Sequence, residues 1–328
     1  MFSVSRILAV PMAASALLLL TACGGGSGTS GDTGRLSLYV TDAPVDSAEK
    51  VVVAFTGVQL KPADGEPMRF DVCKNEGSEH ADTCEPRKID LLALTGDESA
   101  PLLEDIELDA GRYEWIRLEV LTSQTSAENS YIHIDGAPRP LWVPSGDQTG
   151  LKLVQGFTVP AGGVASFTID FDLRKSIANP QGPFLDTYFL RPALRLVDNS
   201  LTGHLEGDIA ADLIEGDACL GEGGDGVVYV FDTDEENNGD ETQPENAVTS
   251  TTVDSIEDVP FSYEVGFLSA EEYGTEYLVQ LWCETSNGDG GVERDWLAEG
   301  FAVIFPGDTT LLNFDANEPE GENTDQGV

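Results

Sequence analysis

Asp170 and Asp172 come closest in this chain to a catalytic pair in type and spacing. Along a strand, residues two apart project from one face about 7 Å from each other, within the range over which paired carboxylates cleave glycosidic bonds. The same two groups suit a cation, or the basic side chains Arg174, Arg191 and Arg195 that follow them. Those arginines make a structural ion pair or turn the expectation. A second acidic run, from Asp232 to Glu241, alternates oxygen donors at Asp232, Asp234, Glu236, Asn238 and Asp240. Hard cations such as Ca²⁺ take roughly six to eight oxygen ligands, so calcium is the one cofactor the run raises. It is not an EF-hand, because Asn237 stands where the sharp turn needs glycine and Gln243 where the closing Glu belongs. A solvated acidic hairpin tip, with no cofactor, is the plainer expectation. Asn287-Gly288-Asp289-Gly290-Gly291 reads as a hairpin turn.

Other chemistries lack their residues. There is no Gly-x-Ser-x-Gly elbow, no His-Glu-x-x-His helix and no Gly-rich phosphate loop ending in Lys-Ser or Lys-Thr. His80, His133 and His204 are scattered and no Cys-x-x-Cys is present, which argues against zinc. Trp115, Trp142, Trp282 and Trp296 carry faces that stack on sugar rings, but their isolated, strand-like settings predict core packing. The chain is therefore expected not to be an enzyme. Its net charge of -42 repels nucleic acid and anionic lipid alike.

The N-terminus suggests a different kind of chemistry. Met1 to Arg6 is short with one basic side chain, and Ile7 to Leu20 is apolar or small, the layout of a signal peptide. The apolar run falls short of the about 20 residues a membrane span needs. It ends in Leu20-Thr21-Ala22-Cys23, which resembles the bacterial lipobox. The resemblance implies cleavage before Cys23 and acylation of its thiol and new amino group. Residues 1–22 are then a lipoprotein signal peptide, and residues 23–34 a lipidated cysteine with a flexible Gly-rich tether. The chain has 5 cysteines, and lipidating Cys23 leaves an even set: Cys73, Cys84, Cys219 and Cys283. Acyl burial contributes about 0.8 kcal/mol per methylene, so several chains anchor a protein without a membrane-spanning helix. Gly24, where retained inner-membrane lipoproteins carry Asp, points by the same resemblance to the outer membrane.

These residues need elements to hold them, and the pattern is that of strands. Leu36, Leu38 and Val40 alternate with Ser37, Tyr39 and Thr41, the period of a half-buried strand. Val51 to Leu60, Arg112 to Leu121, Val164 to Asp172 and Thr187 to Val197 read the same way. Asp42-Ala43-Pro44, Asp109-Ala110-Gly111 and Pro160-Ala161-Gly162-Gly163 supply turns between them. An ordered set of pieces runs through this segment: Thr41-Asp42-Ala43-Pro44, Asp90-Leu91-Leu92, Ala110-Gly111-Arg112-Tyr113 leading into Ile116-Arg117-Leu118, Ile169-Asp170-Phe171-Asp172, and Leu190-Arg191-Pro192-Ala193-Leu194-Arg195. In that order they resemble a bacterial surface-domain family known as domain of unknown function four-three-eight-two. The resemblance implies a β-rich domain of anchored lipoproteins, over residues 35–198, with no established activity. The interval from Cys73 to Cys84 departs from the family.

Residues 199–316 alternate again at Val227 to Phe231, Phe261 to Phe267, Tyr277 to Trp282 and Leu311 to Phe314. They look like a small immunoglobulin-like or transthyretin-like sandwich. Residues 317–328 have almost no apolar side chain and are expected to be a disordered acidic tail. Three disulfide pairings are open to the four remaining cysteines. The local one, Cys73 with Cys84 and Cys219 with Cys283, avoids crossing between segments and is the expectation in an oxidising compartment.

The sequence thus predicts an all-β chain: two tandem β-sandwich domains after a lipoprotein signal peptide and Gly-rich tether. The expected role is non-catalytic binding or envelope architecture at the cell surface or in the periplasm. The membrane is met through acyl groups on Cys23, and the ligand is a protein or glycan. A calcium-dependent binding module and a carboxylate-based polysaccharide hydrolase are the alternatives.

Overall fold

The computed structural model describes residues 32–43, 48–72, 85–144, 150–178, 180, 186–191, 193–215, 219–233, 243–254, 261–287 and 291–315. Cys23, the pair Cys73 and Cys84, His80, and Asp234, Glu236 and Asp240 of the acidic run lie outside the described residues.

Leu36, Leu38 and Val40 are wholly buried, with Ser37 and Tyr39 half-buried on the other face, so the period-two reading holds where the chain first enters a sheet. The first sandwich comprises β1 (Thr33–Ala43), β2 (Lys50–Pro62), β3 (Met68–Asp71), β4 (Arg87–Asp90), β5 (Ala100–Asp109), β6 (Gly111–Val120), β7 (Tyr131–Ile134), β8 (Ala137–Trp142), β9 (Leu151–Leu153), β10 (Phe157–Val159), β11 (Val164–Asp172), a one-turn helix α1 (Leu173–Ser176), β12 (Ile177–Ala178), β13 (Tyr188–Leu190) and β14 (Leu194–Asp198). One sheet runs β14-β11-β1-β5; the other runs β10-β6-β2-β7-β8-β13-β12, with β3 and β4 on β2 and β9 on β6. Inward side chains of both layers meet in one core. Phe55 packs edge-on against Phe171 at 6.3 Å between ring centroids, and Tyr113 stacks on Phe157 at 5.0 Å. The Tyr113 hydroxyl donates to the Asp109 carbonyl at 3.0 Å, pinning the turn that joins β5 to β6.

The expected single strand from Thr187 to Val197 is two strands in two sheets. The β13 strand pairs with β8 and β12, whereas β14 pairs with β11. The chain changes layer across Arg191 to Ala193, where the sequence places Pro192, which lacks the amide a continuing ladder needs. Ser176 holds the crossing on both sides: its carbonyl accepts from the Arg191 amide at 2.7 Å, and its hydroxyl from the Ala193 amide at 2.8 Å.

The second sandwich contains β15 (Thr202–Ile209), a one-turn helix α2 (Ala211–Ile214), β16 (Asp225–Asp232), β17 (Thr249–Thr252), β18 (Phe261–Ser269), β19 (Thr275–Asn287), β20 (Gly291–Ile304) and β21 (Thr309–Leu311). Its sheets run β18-β15-β21 and β17-β16-β19-β20 around a separate core. Cys219 and Cys283 are bonded within it, their Cα atoms 5.5 Å apart. A Cβ on Gly224 would lie 2.6 Å from Cys283 Sγ, so only glycine lets the chain pass the bridge. The expected strand from Leu311 to Phe314 shrinks to β21, with Phe314 in a lone bridge to Ile209. The long β20 was not anticipated. Glu293-Arg294-Asp295 and a bulge opposite Leu281 and Trp282 break its alternation.

Core packing fails as an account of Trp296, whereas Trp282 packs against the cluster of Val227, Tyr229 and Phe231, and Trp142 against Phe189. Trp296 on β20 is 52% exposed, and Trp115, Trp142 and Trp282 are half-buried.

Candidate functional site

Asp170 and Asp172 do sit two apart on β11, but each is already engaged. Ala165, Phe167, Ile169 and Phe171 fill the core, which turns the carboxylates to the opposite face. Arg195 lies directly across the ladder from Asp170 and donates to Asp170 Oδ2 from Nη2 at 2.7 Å and from Nε at 3.3 Å. Asp172 ends the strand and caps α1, accepting from the Lys175 amide at 3.0 Å while Lys175 Nζ stands 3.0 Å away. The space that Asp170 lines with Thr41, Asp42 and Glu264 holds about 10 Å³, room for one water and not for a sugar ring.

What α1 presents instead is a buried ionic cluster between the two sandwiches. Arg174, the second residue of α1, donates from Nη1 to Glu284 Oε2 at 2.7 Å, and its guanidinium lies 5.8 Å from the centre of the Tyr229 ring. Glu284, on β19, is 7% exposed. Its other oxygen accepts from the Tyr229 hydroxyl at 2.5 Å and from Arg294 Nε at 2.6 Å. Burial drives the Glu284 carboxyl upward, but the Arg174 charge and the Tyr229 and Arg294 hydrogen bonds outweigh it and hold the group below its ordinary value. Burial, and the negative charge of Glu284, push the Tyr229 hydroxyl well above its usual range. Beside Arg174, Lys175 Nζ donates to the Ala247 carbonyl at 2.6 Å. One turn of helix from the first domain is thereby bonded to β19 and to the loop at Ala247 of the second, and lies against the Tyr229 ring of β16.

A second contact lies at the other end of this seam. The Gly96 backbone bridges Val265, and a Cβ on Gly266 would fall 2.0 Å from the Gly96 carbonyl oxygen. Gly96 itself has φ +63, a left-handed conformation suited to glycine, and a Cβ there would meet the Glu264 carboxylate. Between the two contacts sits Asp42, 7% exposed, on the core-facing side of β1. Among the described residues neither of its oxygens makes a hydrogen bond of good geometry, the Leu173 amide lying near but poorly aligned. Burial, then the charges of Asp170 and Asp172, raise its carboxyl well above the ordinary range; the Leu173 amide and Arg174 act the other way. Arg174, expected from the sequence to serve Asp170 and Asp172, pairs with Glu284 instead; Glu284 and Tyr229 did not stand out in sequence, and of Asp42 only the surrounding motif did.

Asp232, the first residue of the acidic run, ends β16 opposite Tyr277. Among the described residues no group of three or more His, Cys, Asp or Glu is placed to hold a metal ion. His133 lies against Glu49, with 2.5 Å between Nδ1 and Oε2, and His204 packs on Phe267, so these two described histidines sit in separate settings. Among the described residues no helix is long and apolar enough to cross a membrane.

No curated protein matches the chain. Among solved structures, a candidate cell-adhesion protein of Bacteroides fragilis aligns at 12% identity over 87% of this chain and 94% of its own, with a TM-score of 0.20. The major pilin of Streptococcus pyogenes aligns at 13% identity over 86% and 99%, with a TM-score of 0.16. A candidate adhesin of Bacteroides ovatus aligns at 8% identity over 89% and 94%, with a TM-score of 0.19. Superpositions this loose carry no argument about what the chain does. The family comparison is different in kind: residues 33–192 match the family described as domain of unknown function DUF4382, the interval that holds the whole ladder from β1 to β13. By that match this chain carries a DUF4382 domain, joined through the Arg174 seam to a second β-sandwich.

Proposed function

We propose that the chain is a non-catalytic lipoprotein of the bacterial envelope, anchored by acyl groups on Cys23, most simply in the outer membrane. Its two sandwich domains, residues 35–198 and 199–316, act as one rigid body for binding or envelope architecture. The observation that supports this reading most is the engagement of the carboxylates. Asp170 is held by Arg195, Asp172 by Lys175 and a helix cap, and Glu284 by two arginines and a tyrosine. Each serves to fix one strand or domain against another, and the space around Asp170 excludes a substrate. A polysaccharide hydrolase would need two acids facing an open cleft.

Anchoring is tested by growing cells with a labelled fatty acid. The wild-type chain takes up the label and fractionates with membranes, while Cys23→Ser loses both properties. A mature protein whose mass shows an unmodified Cys23 would remove the anchor from this proposal.

A further inference from the structure

We propose that the outer edge of β20 is a strand-addition site for a basic, amphipathic, extended segment of a partner protein. The inference deepens the binding reading above and rests on it only for the claim that this body meets a partner.

The β20 strand is 14 residues long and ends its sheet; among the described residues no strand pairs with its far side. The Val303 carbonyl near its C-terminal end accepts from the Thr310 hydroxyl at 2.9 Å; the rest of the edge is a template for another strand, and natural proteins cover or disfavour such edges. This one is apolar along one face. The ladder sets Arg294 opposite Glu284, Trp296 opposite Trp282, Phe301 opposite Leu278 and Val303 opposite Glu276. The bulge beside Trp282 resets the alternation, so Val292, Trp296, Phe301 and Val303 all project to the same side, away from the core of the second sandwich, and Glu299, which accepts from Gln280 at 2.9 Å, stands among them. All four are exposed, Trp296 by 52% and Phe301 by 60%. The one cation on this face, Arg294, is bound to Glu284 and does not set the charge of the surface.

On the other face of the same strand, Glu293 and Asp295 pair with Thr285 and Cys283 and stand exposed. A strand laid along β20 would therefore meet apolar side chains and the Glu299 carboxylate on one side and two carboxylates on the other. The complementary segment alternates apolar and basic residues. Main-chain hydrogen bonds supply its affinity, and alternate side chains its specificity. The exposed Trp296 ring adds a face for a cation at the strand margin.

Charge decides between occupants. A second copy of this chain brings a further net charge of -42 to an acidic edge. The chain's own residues 316–328 carry Glu318, Glu320, Glu322 and Asp325 and no basic side chain, the wrong sign for Glu293 and Asp295. Only a basic segment is attracted.

The test uses the full chain, purified in detergent, and a synthetic peptide of alternating Val and Lys about ten residues long, a common strand length. The peptide is expected to bind at low salt, with its isotope-labelled amide band moving to that of a paired strand. Trp296→Ser and Phe301→Ser should each weaken binding about tenfold, and Glu293→Lys with Asp295→Lys at least as much. All these residues are exposed, and an unchanged thermal transition checks that the variants fold. Equal binding of a scrambled peptide, or of one with Glu in place of Lys, overturns the proposal. So does binding untouched by Trp296→Ser, displacement by a neutral oligosaccharide, self-association of the wild type that Trp296→Ser abolishes, or binding that appears only once residues 316–328 are removed. Because the assay is in detergent solution, its outcome is independent of whether Cys23 is acylated in the cell.

Discussion

Replacing Arg174 by Met removes the guanidinium that joins α1 to Glu284 while keeping the length and apolar stem of the side chain. In wild type, Arg174 is 12% exposed and Glu284 7% exposed, so their 2.7 Å bond is shielded from solvent and counts as a charge-assisted interaction. Glu284 keeps Tyr229 and Arg294 in the variant, so its carboxylate is not stranded. The loss is then that of one hydrogen bond to a charged group, about 1.5–3 kcal/mol. Removing the shared acceptor is worse. Glu284→Ala takes from the buried Arg174 its carboxylate partner at 2.7 Å, and breaking a buried pair from one side costs about 3–5 kcal/mol. Arg294 is 40% exposed, so Arg294→Met should cost under about 1 kcal/mol despite a similar bond length. Denaturant unfolding of wild type, Arg174→Met, Glu284→Gln and the double variant closes a cycle, in which the coupling is expected at about 1.5–3 kcal/mol. In calorimetry, Arg174→Met should also split the transition of the body into two as the sandwiches lose their tie. Additivity of the two substitutions within about 0.5 kcal/mol, with one unaltered transition, would refute the claim that this cluster holds the domains together.

Asp42→Asn should stabilise the protein at neutral pH. The folded carboxyl of Asp42 sits above its unfolded value because of burial and the charges of Asp170 and Asp172, so its contribution to stability is lost as pH rises from the unfolded value through the folded one. The advantage of the variant is therefore present at pH 7 and absent below the ordinary Asp value of about 3.9, which urea titrations at the two extremes would show. Glu284 has the opposite sign: its folded value is lowered, so stability is lost as pH falls through it, and Glu284→Gln should flatten the acid limb of the stability curve. Reducing the Cys219–Cys283 bridge, whose sequence separation is 64, should cost about 4 kcal/mol, read as a drop in denaturant midpoint that an alkylated control reproduces. Gly224→Ala should shift the same midpoint in the oxidised protein, because the new methyl meets both sulfurs.

What sequence carried of this fold follows from the range over which each cause acts. Alternation is local, so β1, β2, β6, β11 and β16 were legible from residues two apart, and the arginines near Asp170 and Asp172 were enough to assign both carboxylates a structural part. The layer change at Arg191 to Ala193 was signalled by Pro192, but β-branched and apolar neighbours on both sides made one strand look continuous. The Arg174 cluster left no local trace: Arg174 and Glu284 are 110 residues apart in sequence, and nothing in either neighbourhood names the other. The reading of Trp296 failed for a related reason. Whether an aromatic on a strand is buried depends on which strand lies next to it and what covers the sheet, and strand order is a property of the whole topology. In β20 the charged run Glu293 to Asp295 and the bulge before Ala298 hid even the strand itself. Those same two irregularities are what make the edge chemically distinctive, since the charges mark one face as acidic and the bulge keeps Trp296 and Phe301 together on the other. A position at which local pattern breaks down without a core to explain it is where a protein's surface is most informative, because packing has not dictated the residues there.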